Sequence, residues 1–372
     1  MTQLFESLET YLERTKAQRE ELYRWFHQHP ELSLQEAETK ARIIKELEPV
    51  KEDSGVEYAS TATQVSDKAG QEVPVGHMCG HDMHTTWLLT TISFLAENRE
   101  LWSGTFEAVF QPAEEIAEGG KNMVAAGITG KVPVPDVMLG QHIMGALPLG
   151  HIATNEGISF TQASTVKVTV RGVGSHGSMP EKSVDPIVLS SSIIMQLQTI
   201  ISCELPASER AVVSVGTIHG GTKANVIPDK VVFELNTRCY SQEVEDHIHA
   251  SIERIVSNQA AAAGAPEPSF EYSERFPVLD NDRDVTAKVT ESMQTLLWEE
   301  RTETFAPLSA SEDFPDIPNA FGTPYCFWVV GGFPDPENAP GNHSPQFVPE
   351  LHPTLEAGAE ATVAVLCPWL AV

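Results

Sequence analysis

The densest group of side chains able to do chemistry lies in the segment GHMCGHDMH, residues 76–84. Histidine, cysteine and aspartate are the residues that donate lone pairs to a borderline divalent metal ion. Only Gly80 separates Cys79 from His81, and glycine permits the tight backbone that would bring both side chains onto one ion. Asp82 could accept the other ring proton of His81 and so orient it. The alternative is a reduced core cysteine beside surface histidines, which the density of the cluster disfavours.

A second group is QPAEE, in which Glu114 and Glu115 follow the apolar run FEAVF. The stretch TFEAVFQP predicts a buried strand that ends at Pro112, and ligand crevices open at strand ends in α/β sheets. Adjacent acidic residues are often only solvated. Beside a metal, however, one carboxylate can bind the ion while the other accepts a proton from water.

Two single histidines complete the set of candidate ligands. His142 lies in LGQHIMG and His343 in PGNHSPQF, each after a short apolar segment. A lone loop histidine is more often structural or solvated. Together with Cys79, His81 and Glu115, however, they supply five ligands, enough for two metal ions that share a bridge.

The middle of the chain carries three further candidates. His176 lies in the glycine-flanked loop GSHGSMP, Asn225 precedes a proline turn in TKANVIPD, and Arg238 stands in LNTRCY. His176 and Asn225 could donate hydrogen bonds to a developing oxyanion, while Arg238 could hold a substrate carboxylate. The alternatives are a simple turn for the histidine and local acidic partners for the arginine.

The elements that position these residues fall into two groups. The first 47 residues predict helix, interrupted at His29-Pro30, with Ser33 and Glu36 as a capping box for a second helix. The apolar segment CFWVV predicts a short strand near the C-terminus. Between them, residues 158–276 show the order β-α-β-β-α-β, which is typical of a ferredoxin-like domain. We therefore expect an α/β protein in which residues 1–157 and 277–372 form one mixed-sheet domain, interrupted by the domain at 158–276.

Composition limits the partners and the compartment. The 372 residues carry 24 basic and 52 acidic side chains, a net charge of −28. Such a chain repels nucleic acids and anionic lipid surfaces, so neither is an expected partner. The start of the chain lacks the pattern of a secretory signal, and we see no apolar run of the length that spans a membrane. Five scattered cysteines indicate a reducing compartment, so we expect a cytoplasmic protein.

Taken in order along the chain, these segments resemble one enzyme family. HMCGHDMH, FQPAEE, GQHIMGALPLG, VGSHGSMPEKSVDP, GTIHGGTKANVIPD, NTRCYS, SASEDF and GNHSPQF are similar to the motifs of metal-dependent amidohydrolases. These enzymes resemble aminoacylase, hippurate hydrolase and indoleacetyl-amino-acid hydrolase, and belong to the dinuclear aminoacylase–carboxypeptidase superfamily. The resemblance runs from WFHQHPELSLQEAETKA to the end of the chain.

The resemblance implies a role for each candidate residue. It implies that the general base is Glu114, that His176 is an oxyanion contact able to reach the active site of a dimer partner, and that Asn225 and Arg238 contact the substrate. The implied metal ligands are Cys79, His81, Glu115, His142 and His343. The soft thiolate and the histidines make zinc the expected metal, with manganese, cobalt or nickel compatible with the same geometry.

One departure from the family pattern falls between Leu47 and Val50. IIKELEP runs straight into VKEDSG, whereas family members carry further strands and an acidic segment there. The catalytic domain is therefore expected to be truncated near residues 47–50 and to lack strands of its main sheet.

The expected activity is hydrolysis of the amide bond of an N-acyl amino acid or a similar small conjugate. Metal ions would lower the pKa of a bridging water, Glu114 would take its proton, and the tetrahedral oxyanion would be stabilised by the metal and the inserted domain. A dipeptidase or carboxypeptidase would use the same machinery. A metal- or ligand-binding homologue without turnover is the alternative from another class. We expect a homodimer or homotetramer, assembled through the inserted lid and dimerisation domain.

Overall fold

The computed structural model describes residues 2–47, 63–66, 71–74, 76–297, 299–344 and 346–371. The chain divides into two compact units. Unit 1 consists of Met1–Gly157, Asn281–Ala306 and Asp316–Val372, and unit 2 consists of Ile158–Asp280 and Pro307–Pro315. The fold is mixed α/β.

The described residues form the following helices and strands, given in chain order. The helices are α1 (Thr2–Gln28), α2 (Ala37–Leu47), α3 (His81–Glu97), α4 (Gly119–Ala125), α5 (Pro186–Leu197), α6 (Gln242–Ala262), α7 (Arg283–Leu297), α8 (Asp316–Phe321) and α9 (Leu351–Leu370). The strands are β1 (Thr63–Ser66), β2 (Gln71–Pro74), β3 (Met138–Pro148), β4 (Ile152–Thr154), β5 (Gly157–Phe160), β6 (Gln162–Arg171), β7 (Ser175–His176), β8 (Ala211–Gly220), β9 (Val226–Ile227), β10 (Lys230–Cys239), β11 (Ser269–Phe276), β12 (Leu279–Asn281), β13 (Thr302–Thr304) and β14 (Tyr325–Phe333).

Unit 1 is organised around a mixed sheet with the strand order β13-β4-β14-β3. β14 pairs in parallel with β3 and antiparallel with β4, and β13 pairs in parallel with β4. Every residue of β14 is buried, as expected for an apolar strand that is covered on both faces. The strand predicted at CFWVV is therefore confirmed.

Helix α3, which carries the candidate ligand His81, is held in place by a close contact with α9. A Cβ on Gly358 of α9 would lie 2.0 Å from the ring of Trp87 in α3, so the two helices meet without a side chain between them. The indole of Trp87 also donates a hydrogen bond of 2.9 Å to the carbonyl oxygen of Thr354. These contacts set the position of α3, and His81 is its first residue.

Unit 2 contains the predicted elements in the predicted order, β6-α5-β8-β10-α6-β11. Its four strands form an antiparallel sheet in the order β11-β6-β10-β8. Burial alternates along β10, because one face of the sheet packs on the helices. The side chains of Asp185 and Ser241 cap α5 and α6 by accepting hydrogen bonds from backbone N–H groups of the first turns.

The stretch Pro186–Glu204, which comprises α5 and the turn after it, is long and apolar enough to cross a membrane by length and composition alone. Within unit 2, Leu189, Ile193 and Leu197 of this stretch pack in the core. Its other face keeps Val188 and Met195 67% and 73% exposed. One face of the stretch thus packs in the core of unit 2, and the other face leaves apolar side chains exposed.

Three features differ from the predictions. Residues 105–112, predicted as a buried strand, have no regular secondary structure, and none of the described strands pairs with them. Pro307–Pro315 belongs to unit 2, because its backbone bonds to that unit: the N–H of Leu308 donates to Ser159, and the N–H of Thr161 donates to Ala310. The predicted capping box at Ser33 is also wrong, since the carboxylate of Glu36 accepts a hydrogen bond from the N–H of Ala113.

The truncation predicted between Leu47 and Val50 lies at residues 48–50, outside the described residues.

Candidate metal centre

The turn that brings Cys79 and His81 together depends on Gly80. Its φ is +85°, in the left-handed region, and a Cβ there would lie 2.4 Å from the Cγ2 of Ile143. Glycine is therefore required both by the backbone conformation and by the close approach of β3. The turn places Cys79 directly before α3 and His81 at the first position of that helix.

His142 of β3 approaches the same turn from the sheet. Its Nε2 lies 3.5 Å from the Sγ of Cys79, and its Nδ1 donates a hydrogen bond of 2.6 Å to the carbonyl oxygen of Ile143. A carbonyl oxygen only accepts, so this bond assigns the ring proton to Nδ1 and leaves the Nε2 lone pair facing the thiol. The amide of Asn342 spans the turn and the strand, 3.5 Å from the oxygen of Cys79 and 3.4 Å from that of Ile143.

Glu114 and Glu115 lie in a single 3-10 turn, Glu114–Ile116, which is flanked by two alanines in the left-handed conformation. An oxygen of Glu114 lies 3.7 Å from the Nε2 of His81, and an oxygen of Glu115 lies 3.8 Å from the same nitrogen. The other oxygen of Glu115 lies 3.1 Å from the Nε2 of His343. Both carboxylates therefore face the histidines.

His343 enters from the loop between β14 and α9. Its φ is +70°, and its N–H donates a hydrogen bond of 2.6 Å to the carbonyl oxygen of Met78. This bond ties the loop to the turn at Cys79. The imidazole remains 65% exposed, so it closes the site on the side of the solvent.

The donor atoms form overlapping groups, each of which lies within 4.8 Å and could hold an ion. One group joins Cys79, His81 and His142, a second joins Cys79, Glu115 and His343, and a third joins His81 with both glutamates. Sulfur, imidazole nitrogen and carboxylate oxygen are the ligands of zinc and related divalent ions. Because Cys79, His81 and Glu115 each belong to two groups, the residues fit two neighbouring metal ions.

The electrostatics leave most of these ligands deprotonated at neutral pH. Burial lowers the pKa of His81, and burial together with the His81 charge lowers the pKa of His142 to about 4. Burial raises the pKa of Glu115, but the hydrogen bond from His343 and the neighbouring histidine charges outweigh it and bring it to about 2. That same hydrogen bond raises the pKa of His343. Lone pairs on His81, His142 and Glu115 are thus available for metal binding before any ion arrives.

Asp82 has a different partner from the one expected. Its Oδ2 lies 2.7 Å from the Nδ1 of His27 in α1, and its Oδ1 accepts the N–H of Met83. The expectation that Asp82 accepts the ring proton of His81 is therefore corrected. Asp82 instead connects α3 to α1 through His27. The hydrogen bond to Asp82 raises the pKa of His27.

Sequence reasoning also missed His84, which stands three residues after His81 on one face of α3. The Nε2 of His84 accepts a hydrogen bond of 2.9 Å from the N–H of Ile143, the residue after His142. Burial, followed by the charge of His142, lowers the pKa of His84 well below its ordinary value, which keeps this acceptor neutral. The spacing of three residues was the available signal, because such side chains share a helix face.

The candidates of unit 2 lie in two places. β7 pairs with β9 so that His176 stands opposite Val226, and the N–H of Gly177 donates 2.8 Å to the oxygen of Asn225. His176 and Asn225 are therefore neighbours, both are exposed, and His176 lines an open cavity of about 770 Å³. The structure thus brings these two predicted residues together.

Arg238 lies at the far end of β10. Its guanidinium donates to Asn236, to the backbone of Ser309 and to the hydroxyl of Ser311. None of the described residues offers it a carboxylate partner, and burial lowers its pKa. The alternative in which Arg238 pairs with local acids is therefore not what the described part of the chain shows.

Comparison with known proteins gives a consistent result. Residues 49–367 match the family described as peptidase family M20/M25/M40. An N-acetylcysteine deacetylase of Bacillus subtilis is 31% identical over 69% of this chain and 74% of its own. An IAA-amino acid hydrolase, ILR1-like 4, of Arabidopsis thaliana is 31% identical over 81% and 76%. A thermostable carboxypeptidase 2 of Saccharolobus solfataricus is 32% identical over 72% and 64%.

Solved structures agree with these sequence matches. A chain from methicillin-resistant Staphylococcus aureus is 28% identical, with a TM-score of 0.82 over 99% of both chains. The YXEP protein of Bacillus subtilis, a dinuclear metal-binding peptidase of the M20 family, is 25% identical, with a TM-score of 0.71 over 95% of this chain and 98% of that one. The resemblance inferred from the motifs is confirmed. This chain belongs to peptidase family M20/M25/M40, whose members are hydrolytic enzymes that act on amide bonds.

Proposed function

We propose that this protein hydrolyses the amide bond of N-acyl amino acids or of similar small amide conjugates at a dinuclear metal centre. The proposed ligands are Cys79, His81, Glu115, His142 and His343. The observation that carries the proposal is the convergence of these five donors with one additional carboxylate, Glu114, whose oxygen lies 3.7 Å from the Nε2 of His81.

Glu114 is the proposed general base. It accepts a proton from the attacking water and returns it to the leaving amine, as a positioned carboxylate can. When bound, the metal ions would supply the Lewis acidity that lowers the pKa of that water and polarises the acyl carbonyl. The contacts support this division of roles, because Glu115 reaches both His81 and His343, whereas the nearest histidine to Glu114 among the described residues is His81.

His176, Asn225 and Arg238 are the proposed substrate contacts. The first two are neighbouring exposed groups that can donate hydrogen bonds to a developing oxyanion. The guanidinium of Arg238 lacks a carboxylate among the described residues, so a substrate carboxylate is its natural partner.

The two relatives named as acting on N-acetylcysteine and on IAA-amino acid conjugates support an N-acyl amino acid as substrate. The carboxypeptidase at 32% identity favours the second candidate, cleavage of a peptide at its C-terminal residue. Relative rates on N-acetyl amino acids and on unblocked dipeptides separate the two activities. A protein that binds metal but cleaves neither class would instead be a binding homologue.

Zinc is the proposed metal, since a thiolate and imidazoles form the first donor group; manganese, cobalt and nickel are the alternatives. The acidic surface and free cysteines support a cytoplasmic location without nucleic acid or membrane partners.

Unit 2 is proposed to be a ferredoxin-like lid and dimerisation domain. Its βαββαβ order and its strand order β11-β6-β10-β8 support the fold assignment. β8 is an edge strand that exposes Val212 and Ile218, and α5 exposes Val188 and Met195. Such apolar surface beside an open edge is suited to pairing with a second copy of the chain. Light scattering tests the proposed dimer or tetramer, and a monomer of full activity would contradict it.

Exchange of each glutamate for glutamine tests the mechanism. Glu114→Gln should keep its metal while the single-turnover rate falls by roughly 10² to 10⁴, the usual contribution of a general base. Glu115→Gln should lose metal and activity together. Glu118→Gln is the matched control, because it removes a charge just after the same turn without touching a donor group. Loss of metal from Glu114→Gln with retention in Glu115→Gln would reverse the assignment.

A further inference from the structure

The turn that carries Glu114 and Glu115 begins with a strained residue. Ala113 has φ 54° and ψ 33°, a left-handed conformation that costs free energy for any residue with a Cβ. Ala113 is also 5% exposed, so its N–H group lies where water is scarce. A residue in this conformation persists only when its surroundings hold it there.

A carboxylate from a distant part of the chain stabilises this conformation of Ala113. The Oε1 of Glu36 accepts a hydrogen bond of 2.9 Å from the N–H of Ala113, 77 residues away. Hydrogen bonds to a charged acceptor are stronger than those between neutral groups. Glu36 lies directly before α2, outside residues 49–367 that match the family.

Glu36 is available for this contact because another residue caps α2. The carboxylate of Glu31 accepts the N–H groups of Glu38 and Thr39, at 3.1 Å and 2.7 Å. The first turn of α2 is thus capped by Glu31, and not by the predicted pair of Ser33 and Glu36. Glu31 therefore caps α2, whereas Glu36 is left to bind the N–H of Ala113.

The remainder of the turn has little freedom to absorb a shift at Ala113. A Cβ on Gly119 would lie 1.6 Å from the carbonyl oxygen of Pro112, so the chain after the turn packs directly on the chain before it. The Nζ of Lys121 donates a hydrogen bond of 3.0 Å to the oxygen of Ala117 at the end of the turn. A displacement of Ala113 would therefore also displace Glu114 and Glu115, which lie between Ala113 and Ala117.

We propose that Glu36 is a positioning residue that sets the orientation of Glu114 and Glu115 through the N–H of Ala113. The inference rests on the proposed function, in which Glu115 binds metal and Glu114 acts as base. Glu36 itself touches neither metal nor substrate. Its contribution is the geometry of the turn.

Three variants and one control test the proposal. Glu36→Ala removes the acceptor, Glu36→Asp keeps the charge but shortens the reach, and Glu36→Gln keeps an oxygen acceptor of the same length. Glu31→Ala is the matched control, since it removes the cap of α2 and leaves the contact with Ala113 in place. The measurements are amide hydrogen exchange of residues 112–119 in metal-free protein, Zn²⁺ affinity by chelator competition, and kcat and KM on N-acetyl amino acids.

Glu36→Ala should accelerate exchange in residues 112–119 by about tenfold or more, the equivalent of one lost hydrogen bond to a charged group. Zn²⁺ affinity should fall by about 10- to 100-fold. The kcat should fall by about 10- to 100-fold with KM unchanged, because a small misplacement of reacting groups has that effect. Glu36→Asp should behave like Glu36→Ala, whereas Glu36→Gln should retain most of the wild-type values, because its neutral oxygen accepts a weaker bond at the same place.

Glu31→Ala should lower the melting temperature and speed exchange only at the start of α2. The proposal is overturned if Glu36→Ala speeds exchange yet leaves Zn²⁺ affinity and kcat unchanged, or if Glu31→Ala affects the site as strongly as Glu36→Ala. A Glu36→Gln variant as impaired as Glu36→Ala would also overturn it. If the wild-type protein binds Zn²⁺ but cleaves no amide, the proposed function fails, whereas exchange and affinity still decide the role of Glu36.

Discussion

Replacing Gly80 with alanine should be among the most damaging single-methyl changes in unit 1. At φ +85° an L-residue costs about 1–2 kcal/mol relative to glycine. The new Cβ would lie 2.4 Å from the Cγ2 of Ile143, which is fully buried and cannot move into solvent. Overpacking of this kind costs about 1–3 kcal/mol. The sum predicts a loss of about 2–5 kcal/mol in the free energy of unfolding.

The measurement is urea denaturation of metal-free protein, so that loss of metal binding does not contribute. Gly127→Ala is the matched control: its φ is +82°, but nothing lies within 4 Å of the added Cβ. This control should lose only the backbone part, about 1–2 kcal/mol. If the two variants lose the same free energy, the contact with Ile143 contributes nothing and the reasoning is refuted. When Gly80→Ala is measured in an Ile143→Ala background, it should cost only the backbone part, because the Cγ2 of Ile143 is absent.

Further predictions concern the contacts that position the site and bind the substrate. Gly358→Ala would place a Cβ 2.0 Å from the Trp87 ring and should cost about 1–3 kcal/mol by urea denaturation; an unchanged midpoint would contradict the close packing of α3 on α9. Since the hydrogen bond to Asp82 raises the pKa of His27 above 6.5, its stabilisation is present below pH 6.5 and is lost as pH rises through the raised value. His27→Gln should therefore lower the melting temperature most in acid and least in alkali, and the opposite trend would count against the pair. Arg238→Met should raise KM for N-acyl amino acids about tenfold or more and leave kcat unchanged, since it removes a charged substrate contact; an unaltered KM would remove Arg238 from the binding site.

The elements whose patterns are local could be predicted from the sequence. The helix predicted for the start of the chain is observed as α1, and the buried strand β14 follows from an uninterrupted apolar run. The order of strands and helices in unit 2 also followed from periodicity, which each segment carries by itself. The proximity of Cys79 and His81 could also be predicted from the sequence, since two ligands separated by one glycine lie close together in a compact turn.

What the sequence alone could not give is the choice between competing partners. Residues 105–110 have the apolar character of a strand but lack a hydrogen-bonded neighbour among the described strands, and a strand exists only through such neighbours. Asp82 had a nearby histidine at His81, yet it bonds to His27 because the packing of α1 brings that imidazole within 2.7 Å.

Glu31 and Glu36, which precede α2, also show which part of the structure is local and which part depends on tertiary contacts. The pattern of Ser33 and Glu36 predicted the start of a second helix, and α2 begins at Ala37. Which glutamate caps the helix and which reaches Ala113 depends on where a loop 77 residues away passes the helix. The sequence thus determined the chemistry of the donors and the local elements, because these depend on residue type and short-range spacing. The tertiary structure decided which of these groups meet, because several partners of similar chemistry compete and only their distances in the folded chain select among them.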